Sequence, residues 1–508
     1  MSSRSFASAL AVASGVLLAL SFPKFGHPAF GWIALAPLLV ALAGTTLRRA
    51  FTLGLLTGVV YFTGTLYWIT RVMAMYGDMA MWVAVLINAL LIVYLALFPA
   101  IFATVVRRGV IAYGPPALMA APVVWVATEV GRTYIFTGFP WVLLGYSQTT
   151  VLPIAQFASL FGVYGVSMLV ASVSAALALC FVGLSLRPLR SLRSLTIVLA
   201  IVIGVAVWGS RRVAVSELTH AGEPIRVGLI QGNVDQDDKI QAARGGIIFQ
   251  DYLRMTRQAL AEGAAFILWP ESSTPFRFED DIIAAAQIRT LARQARVPML
   301  FGSDQFVRGV NGAPTTFYNA AFLVKADGTT GGVYRKMHLV PFGEYVPVKK
   351  LLFFAAPLVQ AVSDFSAGTE AVLLPVGAHL VSTAICYEVV YPDLVRRFVS
   401  GGSEMLTTIT NDAWFGPTSA PYQHFEQASM RAIEEGRYLV RAANTGISGI
   451  VDPYGRVVAR TGIFQPAVVV GEARFLRTST FYARHGDILA YASVLATALM
   501  LMFARRVK

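Results

Sequence analysis

The sequence predicts a multispanning α-helical membrane domain joined to a separate α/β domain. Two observations predict it. Only 14% of the 508 residues are charged and 56% are hydrophobic, whereas soluble domains carry about 25% charged residues. The apolar residues are also unevenly spread. Long runs fill roughly the first two-fifths and one more closes the sequence, around a central stretch with ordinary alternation, charges and turns. That stretch, about 260 residues, is long enough to bury its own core.

A membrane-spanning helix needs about 20 mostly apolar residues. Runs near 6–22, 28–43, 51–70, 80–106, 116–135, 160–185 and 194–209 answer to that, some shortened or broken by Gly and Pro, and an eighth covers 488–504. The expected domains are a seven-span part over 1–212, an extracytoplasmic domain over 220–475 and a closing span over 486–505. The first run starts basic, at Arg4, as a signal peptide does, but further spans follow directly, so it reads as a retained helix. Basic residues fall at alternate boundaries: Arg4, the pair Arg48 and Arg49, the pair Arg107 and Arg108, then Arg187, Arg190 and Arg193. The one violation is the pair Arg211 and Arg212, which precedes a whole translocated domain, where the rule is weak. Positive charge collects on the cytoplasmic side, which puts both termini inside and the α/β domain outside.

These boundary residues account for the net charge of +13 without nucleic acid as a partner. Cys180 lies in an apolar run and Cys386 in the central stretch, so no disulfide framework is expected. The segments 137–141 and 145–148 read as an aromatic belt at the outer interface. Glu129 and Arg132, near a span end, read as interfacial charges.

In the central stretch, 225–231, 266–269, 298–301, 320–324, 380–385 and 405–409 read as buried strands, with helices over 249–262, 281–295 and 425–440. Alternating strands and helices indicate an α/β sheet with helices packed on it. No dinucleotide or Walker loop is present and no metal-ligand spacing, so neither a cofactor nor a metal is expected. Three predicted strand ends carry chemistry-bearing side chains: Glu271 in WPESS, Lys336 in YRKMH and Cys386 in ICYE. Pro392 and Asp393 mark a helix start soon after Cys386. A helix dipole and a nearby cation at such a turn favour the thiolate. Singly, each residue has a plainer role, the Cys as a small buried hydrophobe and the Glu and Lys as solvated turn residues. Their joint occurrence in one domain points to nucleophilic catalysis.

WPESS, YRKMHLVPFGEYVP and ICYE, in this order, resemble the nitrilase (carbon–nitrogen hydrolase) superfamily, whose members use a Glu-Lys-Cys triad. With the preceding spans, FPW…GYSQ, TNDAWF and TFYARHGD entering the last run, the chain resembles its membrane branch, the apolipoprotein N-acyltransferases. The resemblance covers nearly the whole chain. It implies an αββα sandwich for the nitrilase-like domain and a location in the bacterial inner membrane with that domain periplasmic. It also implies a reaction. An acyl group passes from a phospholipid, typically phosphatidylethanolamine, to the α-amino group of a diacylglyceryl-cysteine on an apolipoprotein. Cys386 is then the nucleophile, Glu271 the base and Lys336 the third triad member, with Glu344, Tyr387 and Glu388 at supporting positions. Ile240 stands where many members carry Trp.

The chemistry suggests how these groups share the work. A thioester on Cys386 splits one acyl transfer into two easier steps. Glu271 moves the protons, its pKa raised by burial beside Glu344 or Glu388. Lys336 and the Tyr387 N–H stabilise the oxyanion, and Asn319 orients Glu271 or substrate. The segment 349–359, two Lys followed by an apolar run, is expected to dip into the outer leaflet and keep water from the thioester. A monomer is expected. The competing readings are a membrane-tethered amidase using the same triad, and a transporter or receptor with a non-catalytic domain.

Overall fold

The computed structural model describes residues 3–76, 79–183, 188–236, 242–309, 315–341, 343–345 and 365–504. The chain divides into two units. One comprises Met1–Val215, Thr418–Met430 and Thr480–Lys508; the other comprises Ser216–Pro417 and Arg431–Ser479.

The first unit is helical. Its longer elements are Ser3–Ala19, Leu47–Leu66, Met81–Tyr113, Ala121–Tyr134, Ala158–Gly183, Pro188–Val215 and Ile488–Ala504, with Ala29–Ile33 and Ala36–Leu42 forming a broken pair. Among the described residues, three helices are long and apolar enough to cross a membrane: Met81–Tyr113, Ala158–Val182 and Leu192–Thr219. Leu47–Leu66 and Trp68–Met75, bent by 54°, add a fourth if the pair is one span. Leu47–Leu66 packs closely on Met81–Tyr113 because Gly54 and Gly58, four residues apart, lie on the contact face. A Cβ on Gly54 would stand 2.4 Å from the Pro99 carbonyl oxygen, and one on Gly58 2.7 Å from Ala96 Cα. Small residues at this spacing let helix backbones approach where lipid supplies no hydrophobic drive.

The expected aromatic belt is instead internal to this unit. Trp141 and Tyr146 are each 1% exposed, and Glu129 and Arg132 are buried rather than interfacial. The physical reason is the irregular backbone of residues 137–148, which needs partners inside the protein. Glu129 Oε1 accepts from Leu144 N at 2.7 Å and from Trp125 Nε1 at 3.0 Å, while Arg132 Nη1 donates to Trp141 O at 2.8 Å. Trp141 Nε1 donates to Gln423 Oε1 at 2.7 Å.

The second unit contains two six-stranded sheets. In chain order the strands are β1 (Glu223–Gln231), β2 (Phe266–Leu268), β3 (Met299–Val307), β4 (Thr316–Val324), β5 (Thr330–Arg335), β6 (Leu374–Val376), β7 (His379–Ile385), β8 (Met405–Thr410), β9 (Leu439–Ala443), β10 (Gly449–Val451), β11 (Val457–Arg460) and β12 (Ala467–Phe475). One sheet has the order β12-β1-β2-β3-β4-β5 and the other β11-β10-β9-β8-β7-β6. Strands β1, β2 and β3 run parallel, as do β7, β8 and β9. Parallel strands need crossover helices, and the chain supplies Ala242–Ala261 between β1 and β2 and Ile282–Ala295 between β2 and β3. Those helices bury Phe249, Tyr252, Leu253, Ile288 and Leu291 against Ile267, Trp269 and Phe301 of the first sheet. Pro392–Ser400 follows β7 and buries Leu394, Val395, Phe398 and Val399.

The expected strands are all present. Asp281, at the expected start of a helix, is its N-cap and accepts from Ala284 N. The helix expected over 425–440 ends earlier, at Glu435. Gly436 takes a φ of 63°, the left-handed turn that ends helices, and the chain re-enters the sheet as β9.

Candidate functional site

Each of the three expected side chains follows the end of a strand, and the local sequence explains how. β2 stops at Leu268, and Trp269 N still donates to Leu300 O at 2.8 Å. Pro270 cannot donate, and the chain then folds over β3. Gly302 N donates to Pro270 O at 3.1 Å and Ser273 N donates to Gly302 O at 3.0 Å. Only glycine fits at 302, since a Cβ there would lie 2.5 Å from Ser272 N and 2.7 Å from Glu271 Cα. Lys336 follows β5 directly. Its N–H donates to Asn319 O at 2.9 Å and its carbonyl accepts from Gly368 N at 2.7 Å, fixing the backbone on both sides. Cys386 follows β7 with a φ of 53°. A non-glycine residue held there costs about 1–3 kcal/mol and is a feature of functional turns.

Glu271, Lys336, Glu344 and Asn319 form one polar cluster. Lys336 Nζ donates to Glu344 Oε1 at 2.8 Å and to Glu271 Oε1 at 3.3 Å. Asn319 Nδ2 donates to the same two oxygens, at 2.8 Å and 2.7 Å. Glu271 Oε2 accepts from Asn411 N at 2.8 Å, and Glu344 Oε2 from Val340 N at 2.8 Å. The Lys336 side chain is 1% exposed and that of Glu271 7%, so these contacts are scarcely diluted by water.

The electrostatics depart from the sequence expectation in two ways. Burial alone would raise Glu271, but the Lys336 ammonium and the bonds from Asn319 and Asn411 outweigh it and hold the carboxyl below its ordinary value. The raised pKa expected for this base is therefore absent. Cys386 moves the other way. Burial pushes the thiol up, the Glu271 charge adds to that, and Lys336 opposes both without prevailing. The thiol, not the thiolate, is the resting form. The dipole expected to favour thiolate is weak because the turn after Cys386 is a five-residue 3-10 segment, Cys386–Val390. Lys336 would be lowered by burial, yet Glu271 and Glu344 raise it and keep it charged.

Glu388 is fully buried and joins two of the three strand ends. Its Oε1 accepts from Tyr334 Oη at 2.7 Å, Met337 N at 2.7 Å and His338 N at 3.0 Å. Its Oε2 accepts from Ile385 N at 2.7 Å. It thus holds the loop after Lys336 to the residue before Cys386. Burial nevertheless pushes its carboxyl up to about 7. His338 is brought down to about 4 by burial and by Lys336, so it is neutral, and its ring lies 3.9 Å from that of Tyr391 and 6.1 Å from that of Tyr387. Asn411 stands out in the sequence only as part of TNDAWF, and its backbone donor leaves no side-chain signature. Ile240 and the segment 349–359 lie outside the described residues.

Comparisons with known proteins give the family. Residues 14–176 match the apolipoprotein N-acyltransferase N-terminal domain, and residues 226–479 match the carbon–nitrogen hydrolase family. An apolipoprotein N-acyltransferase of Geobacter metallireducens is 42% identical over 98% of this chain and 95% of its own. One of Methylococcus capsulatus is 35% identical over 98% of this chain and 96% of its own. Among solved structures, a mutant of the amidase from Nesterenkonia sp. AN1 aligns with 53% of this chain and 98% of that one, at 19% identity and a TM-score of 0.39. Two family matches in series, with relatives alike from end to end, establish that the chain belongs to the apolipoprotein N-acyltransferase family.

Proposed function

We propose that the chain transfers a fatty acyl group from a phospholipid, phosphatidylethanolamine foremost, to the α-amino group of a diacylglyceryl-cysteine at an apolipoprotein N-terminus. The reaction is ping-pong, through a thioester on Cys386. The observation that carries this is the buried cluster of Glu271, Lys336, Glu344 and Asn319, of which Glu271 and Lys336 act electrostatically on the Cys386 thiol, in a chain of this family. With the thiol protonated and Glu271 ionised at rest, proton transfer accompanies attack. Cys386 Sγ attacks the ester carbonyl carbon while Glu271 takes the thiol proton. Lys336 and the Tyr387 N–H stand as oxyanion donors, positions worth roughly 3–4 kcal/mol each in other enzymes. Glu271 then gives its proton to the departing lysophospholipid oxygen. In the second half, the amine nitrogen attacks the thioester carbonyl carbon while Glu271 accepts its proton, and as the S–C bond breaks Glu271 returns that proton to the Cys386 sulfur.

Lys336, balanced by two carboxylates, keeps its charge throughout, so the proton passes only between Cys386, Glu271 and the substrates. The chain acts as a monomer in the bacterial inner membrane. Seven spans precede the periplasmic domain and one follows it.

Purified protein incubated with phosphatidylethanolamine alone should gain an acyl mass, labile to neutral hydroxylamine, that Cys386→Ser lacks. A diacylated lipopeptide should then remove it and appear triacylated. An acyl mass that persists in Cys386→Ser would place the adduct elsewhere. Release as free fatty acid in the presence of lipopeptide would favour the amidase reading.

A further inference from the structure

Glu271 Oε2 has a backbone donor, Asn411 N, and that donor is held by a chain of carboxamides. Asn411 lies between the end of β8 and a 3-10 turn, Asp412–Phe415, just past the last β8–β9 pair, Thr410 with Ala443. Its own side chain adds two further ties. Asn411 Oδ1 accepts from Asn444 Nδ2 at 2.9 Å, and Asn411 Nδ2 donates to Gln236 Oε1 at 2.9 Å.

Asn444, 0% exposed, also donates from Nδ2 to Val234 O at 2.7 Å and accepts at Oδ1 from Val234 N at 2.9 Å. Its backbone N–H donates to Thr410 O at 3.0 Å, and its carbonyl accepts from Asn233 N at 2.9 Å. The residue thus ties the turn after β1 to the end of β8. Both Asn444 side-chain atoms are engaged, so the amide orientation admits no alternative: a flipped carboxamide would set its NH2 against Val234 N and its oxygen against Val234 O.

We propose that Asn444 is a positioning residue for the base. Through the Asn411 carboxamide it fixes the Asn411 N–H on Glu271 Oε2, so that the basicity of Glu271 follows the position of the turn at 233–236. This rests on the reading of Glu271 as the base. The physical consequence is specific. A hydrogen bond to a carboxylate stabilises its charged form, so loosening the Asn411 N–H raises the Glu271 pKa and moves the acid limb of the rate profile to higher pH. A role confined to packing would lower the rate equally at every pH.

The test is the pH dependence of thioester formation by the full chain in phospholipid nanodiscs, for wild type, Asn444→Asp, Gln236→Leu and Glu271→Gln. Asn444→Asp keeps the shape but sets a carboxylate oxygen against Asn411 Oδ1 and Val234 O. Its acid limb should move up by about one pH unit or more, a loss of about tenfold at the acid end. Gln236→Leu frees the other end of the Asn411 amide at a half-buried position outside the core, and should move the limb the same way by less. This second variant serves where Asn444→Asp folds poorly. An acid limb unmoved in every variant that folds overturns the relay. Glu271→Gln separates the two readings. If its residual activity keeps the wild-type acid limb, Glu271 is not the titrating base; if the limb vanishes there yet stays put in Asn444→Asp and Gln236→Leu, only the relay is wrong.

Discussion

Lys336 is the sole cation bonded to the two carboxylates of its cluster among the described contacts, and removing it leaves both charges buried. Breaking such a pair by deleting one partner costs about 3–5 kcal/mol, so Lys336→Met should unfold measurably earlier as well as lose activity. The sign with pH follows from Glu271, whose folded pKa is depressed. Its stabilising share is fully present above the unfolded carboxyl value, about 4.3, and disappears as pH falls through the lower folded value. The stability gap between wild type and Lys336→Met should therefore be widest near pH 7 and shrink toward pH 4, checked by denaturant titration at both. Glu388 predicts the opposite slope. Its folded pKa is raised to about 7, so its contribution is present below about pH 4.3 and lost as pH rises through 7. Glu388→Gln gives up acceptor capacity for Met337, His338 and Ile385, yet its stability gap should narrow from pH 5 to pH 8. A gap that widens would mean Glu388 is stabilised as the carboxylate by its four donors.

The elements set where these side chains stand, and glycine decides one of the closest approaches. Gly302→Ala would drive a methyl into the backbone at Pro270, Glu271 and Ser272, at 2.5–2.8 Å. Thioester formation should fall by more than tenfold, following roughly 1–3 kcal/mol of overpacking strain placed against the base. Gly246→Ala is the matched control, since a Cβ there meets nothing within 4 Å. It lies in the helix Ala242–Ala261 and should stabilise by about 0.5–1 kcal/mol with the rate unchanged. Much of this framework is legible in the sequence, because short buried runs such as FILW and 380–385, bounded by Pro, Gly and polar turns, leave little choice but strand. Strand β9 is not legible. It carries Arg441, whose charge is met by Asp412 at 2.9 Å, a partner 29 residues away that no local pattern reveals, and a helical periodicity runs on through it. Glu129 and Arg132 mislead for the same reason, as charges whose partners the local sequence does not show. In the site, the three strand-end residues are legible as residue types. The amide of Asn411 is not, because a backbone donor has no residue code.

At the scale of the whole molecule, three arginines of the helical unit meet at one end. Arg49 bonds Ser8, Arg107 bonds Ala43 O and Arg108 bonds Ala504 O. The start of the first long helix, the link before Leu47–Leu66, the basic end of Met81–Tyr113 and the close of Ile488–Ala504 therefore lie together. Arg49, Arg107 and Arg108, from two boundaries far apart in the sequence, thus lie at one end of the unit, the arrangement the positive-inside rule expects of a cytoplasmic face. Among the described residues, length and hydropathy support three or four crossing helices, so the expected orientation rests on this convergence more than on a count of spans. Both native cysteines are buried, which allows introduced cysteines to report the sides directly. In intact spheroplasts, a membrane-impermeant maleimide should label Asp327→Cys, exposed in the second unit, without permeabilisation. Gly44 is exposed beside the basic end, and a Cβ there meets nothing within 4 Å. Gly44→Cys should label only after the membrane is opened. The reverse pattern would put the α/β unit in the cytoplasm. Labelling of both in intact spheroplasts would mean that the basic cluster does not set the orientation.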